Sequence, residues 1–302
     1  MAAEQKDWLQ KLQTFDRRWI FLAMGVAIIA PLFAPLNLPV APSAMVKSAY
    51  YTVEDLKEGD RVLLSLDMDP ASTPELEPYY RAVLLQLKRK KVKIVIATTW
   101  YAAPPLVERW LSSTVEGRII KQGDSSYHGI PDDPYVKNED YVWLGFREGR
   151  EATINGMATD IRGTFDNQAA DGTPLDDIEI MNGIESLADF DLIVMVSAGY
   201  PGIKEYIQQA QGRGNLRMVG ACTAVSVPEY TPYYNSGQLL GLVGGMSKAA
   251  EYEKLVGKIG TATQGTDVLN LGHVVVISAI LFGNFIFFAG QRRRRTLRSG
   301  KV

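Results

Sequence analysis

The sequence predicts an α/β domain, a Rossmann-like or flavodoxin-like three-layer fold with about five parallel strands, flanked by two transmembrane helices. Three observations carry this reading. Short β-rich runs alternate with amphipathic stretches between Arg61 and Val256, two long runs near the ends carry no charge, and charge is segregated along the chain. Of 302 residues, 46% are hydrophobic and 22% charged, which excludes a disordered or fibrous protein and allows a sizeable core. A single cysteine, Cys222, excludes an internal disulfide framework and a multi-cysteine metal site, and two histidines suit a histidine-rich zinc site poorly. Residues 1–41 hold 4 Lys/Arg and 3 Asp/Glu; residues 271–302 hold 6 and none. Residues 42–270 are left with 22 basic and 31 acidic residues, a net of -9. An acidic body therefore lies between two basic ends.

The first uncharged run is Trp19 to Val46, densest up to about Leu38. A segment of that length crosses the ~30 Å hydrocarbon layer as a helix. Pro31 and Pro35 are expected to kink or end it. The run exceeds the apolar core of a cleaved signal peptide, so an uncleaved anchor over 19–40 is expected. The second run, Val268 to Gly290, is followed at once by Gln291 and Arg292–Arg295. Lys6, Lys11, Arg17 and Arg18 precede the first span, and Arg292–Arg295, Arg298 and Lys301 follow the second. By the positive-inside rule, the ends at 1–18 and 291–302 are cytoplasmic, and residues 41–267 lie outside the cell membrane, periplasmic or extracellular. The arginine block at a membrane exit points to anionic lipid headgroups rather than to nucleic acid.

Within the acidic body, Arg61–Met68 reads as a strand. Thr73 is expected to cap a helix opening on Pro74 and running to about Lys90, with Tyr80, Val83, Leu84 and Leu87 on one face. Val92–Thr99 is the second strand, and Pro104-Pro105 open a helix to about Thr114. Residues 115–139 are rich in turn formers. Tyr141–Phe146 is the third strand, 149–159 a helix, 163–176 a polar loop and Ile178–Leu187 a further helix. Leu192–Ser197 is continuous and apolar, as a buried parallel strand should be. Pro201–Gln211 reads as helix, Leu216–Val225 as the fifth strand, and Ser236 to Val256 as one long helix. Strands alternating with helices imply a parallel sheet with right-handed crossovers.

Ligands bind such sheets beyond the carboxyl ends of the strands. Three features fall there or nearby. Asp67-Met68-Asp69 after an apolar strand resembles the first motif of haloacid-dehalogenase-like phosphatases, and Thr98 or Thr99 is similar to that family's second-strand hydroxyl. The resemblance implies a carboxylate nucleophile, an acid/base partner and magnesium. Strand four, however, ends in Ser197-Ala198-Gly199 without the acidic pair that completes such a site. Gly199-Tyr200-Pro201-Gly202, with Thr223 on the next strand, offers backbone N–H groups for an anion. There is no G-x-G-x-x-G and no Walker lysine, which removes most support for nucleotide binding. Gly237, Gly241 and Gly245, with Ala249 beyond, recur every four residues. On a helix they would form a small-residue groove for close packing, within the domain or between subunits. His128 lies among Asp124, Asp132 and Asp133 in a polar loop, and Cys222 reads as a core residue.

The segment Tyr230–Val256, YTPYYNSGQLLGLVGGMSKAAEYEKLV, resembles a stretch in a family of uncharacterised prokaryotic membrane proteins. Asp140–Phe146 and Thr159–Arg162 are similar to it as well. That family has no assigned activity, so the resemblance implies a membrane location and supplies no catalytic residues. The sequence thus points to a non-enzymatic, cofactor-free scaffold subunit of a membrane assembly. Its expected partners are the lipid bilayer and copies of itself or other membrane subunits. The alternative is a membrane-tethered, metal-dependent hydrolase using Asp67, Asp69 and Thr98.

Overall fold

A computed structural model describes residues 16–34, 36, 38, 41–115, 135–210 and 216–298, without the side chains of Leu32, Ser113, Ala210 and residues 293–298. Lys6, Lys11, the His128 loop with its aspartates, and the side chains of Arg293–Arg295, Arg298 and Lys301 lie outside the described residues. The chain forms two compact units, residues 39–263 and residues 1–38 with 264–302.

The larger unit is built on six parallel strands: β1 (Arg61–Asp67), β2 (Lys93–Thr98), β3 (Tyr141–Phe146), β4 (Leu192–Ser197), β5 (Met218–Cys222) and β6 (Gly241–Gly244). Their order is β3-β2-β1-β4-β5-β6. That is the Rossmann order, with the switch point between β1 and β4, and not the flavodoxin order. Alternate residues of each strand face opposite layers, because side chains on a strand alternate in direction. Val62, Leu64 and Leu66 of β1 pack with Ile94, Val194 and Val243 on one face. Leu63 packs with Val95, Ile193 and Met195 on the other. The first face is covered by α2 (Ala44–Glu54), α3 (Thr73–Arg89), α4 (Pro104–Trp110, continued by a π-turn to Val115) and α9 (Gly245–Val256). The second is covered by α5 (Glu151–Met157), the single turn α6 (Ile161–Thr164), α7 (Ile203–Ala210) and α8 (Val227–Asn235).

Several expectations are corrected. The sheet has six strands rather than five, because the expected helix Ser236–Val256 is β6 followed by α9. Gly237 and Gly245 both take positive φ, +78° and +67°, which interrupts any helix through them. The expected strand Leu216–Val225 is shorter, since Ala224–Ser226 turn as a 3-10 segment. Ile178–Leu187 is no α-helix: Glu179–Met181 make one 3-10 turn and Gly183 sits at φ +74°. Ser72, not Thr73, occupies the N-cap of α3; the Thr73 hydroxyl instead donates to the Asp69 carbonyl.

In the other unit, α1 (Arg18–Phe33) is a 16-residue helix. At 1.5 Å per residue it is about 24 Å long, short of a full hydrocarbon layer. Pro31 falls in its last turn, and Ala34, restricted by Pro35, leaves the helical region. The helical part of the expected 19–40 span therefore stops at Phe33. α10 (Thr261–Arg298) has 38 residues, and its Thr261–Arg292 portion is the one described helix long and apolar enough to cross a membrane. Leu269, Val274, Ile277, Ile280, Leu281, Phe285 and Phe288 are all exposed along it.

Candidate functional site

The carboxyl edge of the sheet at the β1/β4 switch point is the place where this topology offers a ligand site. Asp67 ends β1, opposite Ser197 of β4. It is fully buried. Its Oδ1 accepts the Thr99 N–H at 2.7 Å, the Thr99 hydroxyl at 2.8 Å and the Thr98 hydroxyl at 3.3 Å. Its Oδ2 accepts the Ser65 hydroxyl, which also lies 2.8 Å from the Tyr206 hydroxyl of α7. Ser65 and Asp67 share a strand face through their spacing of two, and α7 covers that face. Burial outweighs these hydrogen bonds and raises the Asp67 carboxyl above the ordinary carboxylate range. Thr98 also donates to the Leu66 carbonyl at 2.7 Å. The group ties β1, the β2–α4 loop and α7 together beneath the surface.

Asp69 is turned to a different task. Its Oδ1 accepts the Ser72 N–H at 2.9 Å and the Ser72 hydroxyl at 2.8 Å, which holds its carboxyl below the usual range and closes the turn into α3. Such a phosphatase needs one carboxylate open to attack phosphorus beside the ion and the other free to move a proton. Here Asp67 is enclosed by its donors, and the half-buried Asp69 has its Oδ1 taken up by Ser72. Among the described residues, no group of three or more His, Cys, Asp or Glu is placed to hold a metal ion. The pair does not fit the site implied by the resemblance.

The glycine turn after β4 is also closed from within. The Trp100 ring lies beside Gly199, at ordinary contact distance from where a Cβ would stand, and its Nε1 donates to the Pro201 carbonyl at 2.6 Å. The Tyr200–Pro201 peptide is cis. A Cβ on Gly202 would overlap the Ser197 hydroxyl and the Gly199 carbonyl. The Gly202 N–H, which the sequence offers to an anion, donates to the Glu205 carboxylate at 2.8 Å, so the first turn of α7 carries its own anion. Beside Thr223, whose hydroxyl lies 3.2 Å from that of Ser226, the Ala224 N–H donates to Glu75 at 2.8 Å. At this edge Tyr101, Tyr200 and Val225 are exposed beside the exposed, charged Glu148, Arg150 and Glu151, with Arg150 over the Tyr200 ring at 5.7 Å.

The segment carrying the four-residue glycine spacing turns inward. Gly237 lies in a turn with open space around it, whereas a Cβ on Gly241 would run into the backbone of Ala49 on α2. One on Gly244 would strike Val227, and one on Gly245 would stand 2.7 Å from Ala224 Cβ. Ala249 is fully buried in the core. The spacing of four is therefore not one helical groove.

Glu251-Tyr252-Glu253, which closes the segment, makes α9 a clasp that no sequence motif announced. Glu251 accepts the N–H and hydroxyl of Ser43 at 2.8 and 2.7 Å, where the chain comes into the domain. Tyr252 donates to Gln86 of α3 and packs edge-on against Tyr79, with ring centroids 4.9 Å apart. Glu253 holds residues 260–263, where the chain leaves it.

No protein-family model matches this chain, and no curated protein or solved structure does.

Proposed function

We propose that the protein is a membrane-anchored, non-enzymatic subunit of a membrane assembly. α10 is a membrane span, α1 contributes a second, both ends face the cytoplasm, and the Rossmann-like domain at 41–267 stands outside. Its partners are the bilayer and copies of itself or other membrane subunits. The observation that carries this is α10, whose apolar side chains are exposed along its length. Such a surface is a liability in water and the expected surface in lipid. The enclosed switch point supports the non-enzymatic part, because Asp67, the Gly202 N–H and the Ala224 N–H already have partners within the domain.

Extraction in mild detergent followed by mass measurement and identification of co-purifying chains tests the reading. A particle of several chains is expected. A lone monomer retaining a divalent ion, lost on Asp67→Asn, would favour the hydrolase instead.

A further inference from the structure

Polar side chains within the apolar run of α10 share one face of the helix. Asn270 and Asn284 stand two heptads apart with Ile277 midway, and His273, Ile280 and Phe287 each follow three residues later. At 3.6 residues per turn these six form a single stripe, the a/d pattern of a two-stranded coil. All six are exposed. The opposite side of the helix is already covered: Val268, Gly272, Val275, Ala279 and Ile286 are half-buried, and Met24 of α1 lies 3.9 Å from where a Cβ on Gly272 would stand. α1 therefore lies on the far side from the stripe. The side chains of Asn270, His273 and Asn284 have no hydrogen-bond partner among the described residues. Asn284 falls well inside the uncharged run Val268 to Gly290, where hydrocarbon offers its amide neither donor nor acceptor.

Resting on the reading of α10 as a membrane span, we propose that this stripe is the contact between two copies of the chain, their α10 helices paired in parallel. What the stripe holds selects a second copy as the partner. Copies inserted under one positive-inside rule run in the same direction, and in a parallel pair each a residue meets its own equivalent. A carboxamide is both donor and acceptor, so two identical asparagines satisfy each other across the pair. Asn270 and Asn284 thus form two polar rungs at a positions, which fix the register, and Ile277, Ile280 and Phe287 pack between and beyond them. Because the stripe meets itself about a two-fold axis, the pairing closes at two chains.

Oxidative cross-linking of the full chain in native membranes reads this directly, since Cys222 is buried and leaves the background silent. Ile277→Cys sits on the stripe, where a parallel pair brings the two sulfurs within reach of a disulfide, and should give a product of twice the chain mass. Ser278→Cys, also exposed but turned about 100° around the helix, should give roughly fivefold less or none. Adding Asn284→Leu to Ile277→Cys makes the span more apolar yet should lower the paired fraction roughly three- to tenfold. No product from Ile277→Cys, an equal yield from Ser278→Cys, a product containing a different chain, or a yield that Asn284→Leu leaves unchanged overturns the proposal. Washing the same membranes with alkaline carbonate separates the two levels. A chain that stays in the membrane without pairing at Ile277→Cys overturns the pairing alone, whereas release into the wash overturns the membrane reading with it.

Discussion

Gly241→Ala is expected to destabilise the α/β unit by roughly 3 kcal/mol or more, and Gly241→Leu to prevent its folding. The reason is the neighbour that a Cβ meets. Gly241 opens β6, and the space its Cβ would take is held by the backbone of Ala49 on α2. A flexible side chain could turn aside; a helix backbone cannot move without breaking its packing on β6. Gly237→Ala supplies the contrast. Its φ of +78° strains an alanine, but nothing stands within 4 Å, so a cost of about 1 kcal/mol is expected. Urea denaturation of the detergent-solubilised protein, followed by fluorescence of Trp110 and Trp143, separates the two. Equal small losses would mean that α2 does not lie against β6.

Asp67→Ala should cost about 3 kcal/mol, because it strands the Thr99 N–H and hydroxyl and the Ser65 hydroxyl in a dry interior. Asp67→Asn keeps an acceptor for Thr99 and removes the buried charge, so it should fall within about 1 kcal/mol of the natural chain. The pH dependence has a definite sign. The folded Asp67 carboxyl is raised above its ordinary 3.8, so its contribution is present below that value and is lost as pH rises through the raised one. Relative to Asp67→Asn, the natural chain should lose stability between acid and neutral pH. A difference between the two that is constant across that range would contradict the burial argument.

β3 and β4 were legible to the residue, since continuous apolar runs bounded by turn formers have one reading in a parallel sheet. β6 was not. Gly241-Leu242-Val243-Gly244 is short, and its glycines fall at a spacing that also suits a helix face, so the strand becomes visible only when α2 is seen against it. α2 itself shows a helical pattern in Val46, Ala49, Thr52 and Val53, but its start merges with the uncharged run from Trp19. α8 carries Pro228, Pro232 and three tyrosines, which together mask its helical character. In the candidate site, Asp67 could be placed at a strand end from sequence. Its enclosure could not, because Ser65, Thr99 and Tyr206 come together only through strand alternation and the crossover to α7. Glu205 and Glu75 were missed for the same reason: each satisfies an N–H that sequence alone leaves open to a ligand.

The claim that most depends on α10 is that the α/β domain stands outside the cell membrane. Tyr101 is 83% exposed at the carboxyl edge of the sheet, Asp16 is exposed just before α1, and Cys222, the one natural cysteine, is buried. Cysteine placed by Tyr101→Cys or by Asp16→Cys can therefore be read with a membrane-impermeant maleimide against a silent background. Tyr101→Cys should label in intact cells, and Asp16→Cys only after lysis. Labelling of Asp16→Cys in intact cells, or of Tyr101→Cys only after lysis, would contradict the account.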